Sequence, residues 1–383
     1  MPSNYKRLGD SIQEVNIRNR DLNNIPLLGV SIKKVLIPSI ANIIGTDMST
    51  YKLIQKNQFA YGPVTSRNGD KISIALLEKH DTAMVSQAYT VFEVIDETKL
   101  IPEYLMMWFR RTEFDRYARF MSHGSAREIF SWTEMCETLL PIPSIEKQQE
   151  IVREYHTIQN RIALNNRLIS KLVETAQAIY KQWFVDFEFP DEYGKPYISN
   201  GGKMVWCAEL EKEVPEEWKC GTLENLYKFQ YGLGNTNPDN DGQYPIYGAG
   251  GVIGGYDKFN SEDAPVIGHM GAYCGSVVFA FGKHFVTYNG VICNVKDFKT
   301  KWFSYVTLLM KDLMSQTRGS SQPFVSYDML YEVESLIPKS DLVYDFNRKA
   351  EILFHNIRLQ NEENQKLEEL KDLLLAKMTR IEN

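Results

Sequence analysis

At a constant offset of 195 residues this chain repeats itself. Gly124-Ser125 matches Gly319-Ser320, Ser131 matches Ser326, Trp132 is answered by Tyr327, and Ile142-Pro143 matches Ile337-Pro338. The register continues without a gap through Ile162 and Ile357, Leu164 and Leu359, Lys171-Leu172 and Lys366-Leu367, and Glu174 and Glu369. Upstream the offset drifts to 201, where Val85-Ser86 aligns with Val286-Thr287, Val94 with Val295 and Tyr104 with Tyr305. A period of about 200 residues is duplication of a whole domain, not a solenoid of short units, and two copies imply an approximate two-fold relation. The distal parts of the two blocks hardly align.

The best-preserved part of the repeat is helical. Ile151, Tyr155, Ile158, Ile162, Ile169, Leu172, Ala176, Ile179 and Trp183 recur at alternating three- and four-residue steps, interrupted at Asn165. That is a heptad seam, and a rod of roughly 57 Å at about 1.5 Å per residue needs a partner. The repeat supplies one over residues 344–381, where Leu353, Ile357, Leu367, Leu374 and Met378 hold the corresponding seam, with Gln360, Asn364 and Lys371 as polar interruptions. A two-fold axis between the helices makes them antiparallel. Val173, Tyr180 and Phe184 on the first helix, and Leu370, Leu373 and Leu375 on the second, fall off the seam. A surplus of this kind suggests a bundle completed by other subunits, with Val173, Tyr180, Trp183, Phe184, Leu370 and Leu373 as the candidate partner interface.

Around the helices the pattern is mixed. Strands are expected at 58–61, 71–77 and 85–95, a helix at 103–121 behind Pro102, and another at 302–314. Ser144 is placed to cap the first long helix. Residues 185–217 hold Phe187, Phe189 and Pro190 and read as a packed connector rather than a flexible tether. The boundaries are therefore 1–145, 146–184, 185–217, 218–340 and 341–383.

Charge separates these parts. The chain carries 43 Lys/Arg against 49 Asp/Glu, a net charge of −6. Residues 184–217 alone carry 3 basic against 9 acidic groups, a deficit equal to the whole net charge. The two large blocks are close to balance and can hold a basic face locally. No apolar run of about 18 residues occurs, and the first ten residues are too polar for a signal peptide, so a cytoplasmic protein is expected. The 5 cysteines are odd in number and lack a C-x-x-C pair, so free thiols are expected rather than disulfides or a metal site.

Catalytic signatures fail one by one. Gly248-x-Gly250 is followed by Gly254, off the dinucleotide fingerprint by one residue. Between Gly275 and Gly282-Lys283 six residues intervene where a P-loop has four. Asp191 and Glu192 are adjacent and poorly placed for a magnesium-dependent nuclease, and the 6 histidines are scattered. No catalytic or metal-ligating residue is assigned. Features suited to nucleic acid remain: Ser66, Arg67 and Asn68 with Lys71 on a tight loop, Arg127 after an arginine-rich helix, and His269, Tyr273, Asn289, Arg318 and Gln322 in the second block. Backbone N–H groups, Arg and Asn on such loops meet phosphates or base edges.

Together these features resemble the specificity subunit of type I restriction-modification systems. The resemblance covers essentially the whole chain. Its most specific parts are Leu164-Asn165-Asn166-Arg167-Leu168 through Ala176-Gln177-Ala178-Ile179-Tyr180-Lys181-Gln182-Trp183-Phe184, the Gly-Ser junctions at 124 and 319, the proline-ended Leu139-Leu140-Pro141-Ile142-Pro143, and Phe59-Ala60-Tyr61-Gly62-Pro63-Val64-Thr65-Ser66-Arg67-Asn68-Gly69. It implies an α+β fold of two mixed α/β target-recognition domains separated by a pair of long antiparallel coiled-coil helices. It also implies double-stranded DNA read as a split, asymmetric site, two methyltransferase subunits docked on the helices, and restriction/translocase subunits joining them. S-adenosylmethionine, ATP and magnesium would belong to those partners, with no cofactor and no catalysis on this chain. Two other classes compete: a fragment of a fused restriction-modification enzyme, and a helical scaffold that binds no DNA.

Overall fold

A computed structural model describes residues 5–22, 24–40, 45–66, 71–123, 128–234, 242–315, 317–318 and 323–380. The chain divides into two compact units, Met1–Ala163 with Asn364–Asn383, and Leu164–Glu363. The first runs β1 (Tyr5–Arg7), β2 (Ile12–Val15), β3 (Leu27–Val30), β4 (Leu36–Pro38), β5 (Lys52–Gln55), β6 (Phe59–Gly62), β7 (Ser73–Leu76), β8 (Thr82–Val85), β9 (Thr90–Val94), α1 (Pro102–Arg110), α2 (Thr112–Phe120), α3 (Trp132–Glu137) and β10 (Leu139–Pro141). Then α4 (Ile145–Tyr180) begins, and it continues into the second unit. There follow β11 (Met204–Cys207), β12 (Lys212–Pro215), β13 (Lys219–Thr222), β14 (Tyr227–Tyr231), β15 (Tyr244–Gly248), β16 (Gly251–Tyr256), β17 (Ser261–Gly268), β18 (Val277–Val286), β19 (Gly290–Val295), α5 (Lys301–Met310), α6 (Tyr327–Tyr331), β20 (Glu334–Ile337) and α7 (Ser340–Lys377).

The first unit contains two four-stranded sheets, in the orders β2-β9-β6-β7 and β4-β3-β8-β5, and β3 runs parallel to β8. The expected strand at 85–95 is two strands, because a turn from Ser86 to Tyr89 hands the chain from β8 in one sheet to β9 in the other. The expected helix at 103–121 is also two. Arg111 is extended between them (φ −67°, ψ 137°), and its buried guanidinium lies over the Trp108 ring at 4.3 Å. The core stacks Phe59 on Phe92 at 4.7 Å, takes Phe109 edge-on against both, and includes Ile151, Tyr155, Leu375 and Met378. In this unit the beginning of α4 thus packs with the end of α7.

The second unit repeats the plan in one six-stranded sheet, β14-β19-β17-β18-β15-β16. Strand β18 serves as β7 and β8 joined: Val277–Ala280 and, past an irregularity, Lys283 and His284 pair with β17, and Phe285 and Val286 run parallel to β15. Gly282 (φ 66°) sits at that irregularity, in a conformation that glycine adopts without a Cβ penalty. The core is aromatic, with Tyr180, Trp183 and Phe184 packed around Phe346, and Phe303 5.7 Å from Tyr180 and 4.9 Å from Phe184. Here the end of α4 packs with the beginning of α7, so the two helices pair antiparallel.

Both units tie a long helix to the block before it in the same way. Gln148, fully buried near the start of α4, accepts from Ile101 N at 2.9 Å, at the cap of α1. Asn347 of α7 accepts from Trp302 N at 2.7 Å, in the first turn of α5. Ser144 caps α4 through Lys147 N at 3.4 Å. On the seam Ile151, Tyr155, Ile158, Asn165, Ala176 and Trp183 are buried, and past Tyr180 the helix widens to an i→i+5 turn over Lys181–Val185.

Strand pairs close each block. Tyr5 stands opposite Pro141 in the β1–β10 pair, and Lys219 stands opposite Ile337 in the β13–β20 pair. The expectation of free thiols fails at one pair, since Cys207 and Cys220 form a disulfide between β11 and β13; Cys136, Cys274 and Cys293 are free. Sequence spacing could not reveal this pair, because a 13-residue separation says nothing of which strands lie side by side. Among the described residues Cys207, Cys220 and Glu209 are close enough to share an ion, but the two sulfurs are bonded to each other.

Candidate nucleic-acid interface

The loop between β6 and β7 is held at both feet. At the first, Thr65 N donates to Glu128 O at 3.0 Å, Thr65 Oγ1 donates to Ser122 Oγ at 3.0 Å, and Arg119 Nη1 donates to Thr65 O at 3.2 Å. Arg119 is itself paired with Glu128 at 3.3 Å. At the second foot Ile72 N donates to Asp115 Oδ1 at 3.0 Å, and that carboxylate pairs with Lys34 Nζ at 2.7 Å. Burial pulls the Lys34 ammonium below the ordinary lysine range against the pull of Asp115, and Lys71 and Arg110 push it the same way as burial. Cationic groups thus gather at this foot.

The second unit builds the same frame from other residues. Phe130 N donates to Pro63 O at 3.0 Å, and Val325 N donates to His269 O at 3.0 Å. Thr65 N to Glu128 O is matched by Gly271 N to Pro323 O, also 3.0 Å. His123 and Ile129 exchange backbone hydrogen bonds at 3.1 and 2.9 Å, as Arg318 and Phe324 do at 3.0 and 2.9 Å. The partners are 195 residues apart on one side of this frame and 206 on the other. The 206 register went unseen in the sequence because the strands leading into the loops share almost no residues.

Of the candidate DNA-binding residues, Ser66, Lys71, Tyr273 and Arg318 are exposed and Asn289 is half-buried. Arg67, Asn68, Arg127 and Gln322 lie outside the described residues, as do the Gly-Ser junctions. His269 does not belong to a surface set: it is 5% exposed, its Nδ1 is 2.6 Å from Val325 O, and Tyr231 and Tyr288 cover its ring at 4.7 and 5.6 Å. Its ring and backbone are built into the frame that holds the loop. Asn289 likewise contributes its carbonyl, which accepts from His269 N at 2.8 Å.

The helix candidates separate in the same way. Tyr180, Trp183 and Phe184 are buried in the core of the second unit and Val173 packs against it, so these four do not form a docking face. Tyr180 and Phe184 are buried although off the heptad seam because α5 and Trp218, and not only α7, cover that end of the helix: Phe184 lies 4.9 Å from Phe303 and 5.8 Å from Trp218. Burial pushes the Tyr180 phenol up to about 12, even with its hydrogen bond to Thr307 at 3.1 Å. Leu370 and Leu373 are 50% and 59% exposed, and with Ile158 and Leu374 they line a groove of 480 Å³ in the first unit.

Residues 18–174 match the family described as the type I restriction modification DNA specificity domain. Within that span the chain carries a domain of that family. The MjaIX specificity subunit of Methanocaldococcus jannaschii, a type I restriction enzyme subunit, is 22% identical over 314 residues, covering 74% of this chain and 70% of that protein. The HindI specificity subunit of Haemophilus influenzae is 24% identical over 223 residues, 55% of this chain and 48% of that protein. In fold, the chain is similar to the type I restriction-modification S subunit from M. genitalium, with a TM-score of 0.53 at 15% identity over 99% of this chain and 96% of that one. The matched domain contains the whole β6–β7 loop frame and most of α4. Among the described residues no helix is long and apolar enough to cross a membrane.

Proposed function

We propose that this chain is the non-catalytic, DNA-reading subunit of a type I restriction-modification complex. Residues 1–145 and 218–340 each read one half of a split, asymmetric site on double-stranded DNA. Residues 146–184 and 341–383 act as the spacer, and 185–217 connects them. Two methyltransferase subunits dock on the helices and bring S-adenosylmethionine, and restriction/translocase subunits bring ATP and magnesium. The work is cytoplasmic, where the DNA is.

One observation carries this reading: the same hydrogen-bonded loop frame is built twice, with Ser66 and Lys71 on one copy and Tyr273 and Arg318 on the other. A shared frame with different tips is what two readers of different half-sites require, since backbone anchoring fixes register and side chains at the tip choose bases. The helices suit a spacer. Half-sites on one face of a duplex recur about every 34 Å, and a 36-residue helix such as α4 is about 54 Å long.

The test is selection from a random duplex library by the full chain with its co-purifying subunits, repeated across salt concentrations. Enrichment of a two-part motif with a fixed gap is expected. Equal binding to all sequences at every salt concentration would remove the reading.

A further inference from the structure

Around the second loop frame stand several exposed apolar and aromatic side chains. Tyr273, 63% exposed, rests on Gly250 at the β15–β16 turn, where any Cβ would lie 2.7 Å from its ring. The same turn carries exposed Val252 and Ile253, and Ser276 Oγ fastens it to the loop through Ala249 O at 2.7 Å. Phe324, exposed, bridges to Met270 and to Arg318, and Tyr288, exposed, covers His269. Apolar side chains gathered this way on a surface mark a binding site.

Charge indicates what the site takes. The side chains named here lie in residues 244–256, 264–295 and 313–327, which contain no Asp or Glu, in a chain where 49 of 383 residues are acidic. A protein partner docking on an apolar face does not require the absence of carboxylates over such a length, whereas a polyanion does. Arg318 is the cation at its edge. The frame beneath it is the one that presents Ser66 and Lys71 in the first unit.

We infer that the second block reads its half-site by base stacking, with Tyr273 inserted at a base step that Val252, Ile253 and Phe324 help to prise open, while Arg318 holds a phosphate. Apolar wedges of this kind partly unstack a step, and flexible pyrimidine–purine steps yield most easily, so sequence is chosen through deformability and not only through base-edge hydrogen bonds. The inference rests on the DNA-reading function proposed above. In the first block the position that corresponds to Tyr273 is Arg67, so the two halves of one site would be read by different physics.

The experiment uses the full chain with its co-purifying subunits and the duplex won from library selection. 2-Aminopurine replaces each adenine, and pyrrolo-cytosine each cytosine, one at a time on either strand. Binding is expected to raise the fluorescence of bases at one step of one half-site only. Tyr273→Ala should abolish that rise and weaken binding about ten-fold or more, and Tyr273→Phe, which keeps the ring, should retain both. Specific binding with no fluorescence rise at any base would overturn the wedge and leave the DNA-reading function standing. So would a Tyr273→Ala protein that binds DNA unchanged but loses its co-purifying subunits. Absence of any sequence preference in the parent complex would overturn both.

Discussion

Asp115 Oδ1 lies 2.7 Å from Lys34 Nζ and 3.0 Å from Ile72 N, so one buried carboxylate oxygen anchors both a lysine and the foot of the β6–β7 loop. Lys34 to Met removes one member of a pair whose side chains are 5% and 7% exposed. Breaking such a pair should cost about 3–5 kcal/mol, because it leaves an uncompensated buried charge. The double change Lys34→Met with Asp115→Leu should recover much of that loss while still weakening DNA binding, since Ile72 N loses its acceptor. Denaturant midpoints of the two variants check this, and a single variant as stable as the parent would show that the pair is inert.

His284 makes the second unit sensitive to acid. Burial holds its imidazole below the ordinary histidine range, more strongly than the Gly282 carbonyl and the charges of Asp263 and Glu262 raise it. The unfolded chain therefore takes up a proton near pH 6.5 that the folded chain refuses, and stability should fall as pH drops below about 6.5. His284→Gln should flatten the dependence of Tm on pH between about 6.5 and 5. An unchanged slope would assign the acid sensitivity to other groups.

Reduction of the Cys207–Cys220 disulfide opens a short loop between β11 and β13. Closing a loop of about 15 residues contributes about 3 kcal/mol. Unfolding with and without reductant should show a loss of that order, and Cys220→Ser should make the protein indifferent to reductant. Alkylation before and after reduction, read by mass spectrometry, locates the pair directly.

Leu370 and Leu373 should separate docking from folding. Replacing both with Glu should change stability by about 0.5 kcal/mol or less per site, as exposed substitutions do, yet prevent co-purification of a methyltransferase subunit. Trp183→Ala should do the opposite kind of damage, costing about 3–5 kcal/mol, because its ring is buried between Phe184 and Phe346.

The duplication, the paired helices and the two mixed blocks were legible because they rest on patterns that survive in one dimension: a constant offset and a three-four apolar step. The helix faces were less so. Trp183 lies on the seam and Tyr180 off it, yet both are core, since sequence periodicity does not say which further elements wrap around a helix. Sheet membership was also hidden, and one apolar run from Val85 to Ile95 divides between two sheets at a four-residue turn. The loop sites were found only in part. Tyr273 was visible as an aromatic near a glycine-rich turn, but Phe324 and Val252 were not, although the stretches free of acidic residues were there to be noticed.

The β1–β10 and β13–β20 pairs bring the first and last strands of each block side by side, at the root of the long helix that follows. Each block therefore leaves from and returns to one point, like a cassette on a two-pin socket. Recombination that cut at those pins would replace a block wholesale and leave its socket and spindle as they were. One block would in that way be exchanged in a single genetic step, with no change in the helices that carry it.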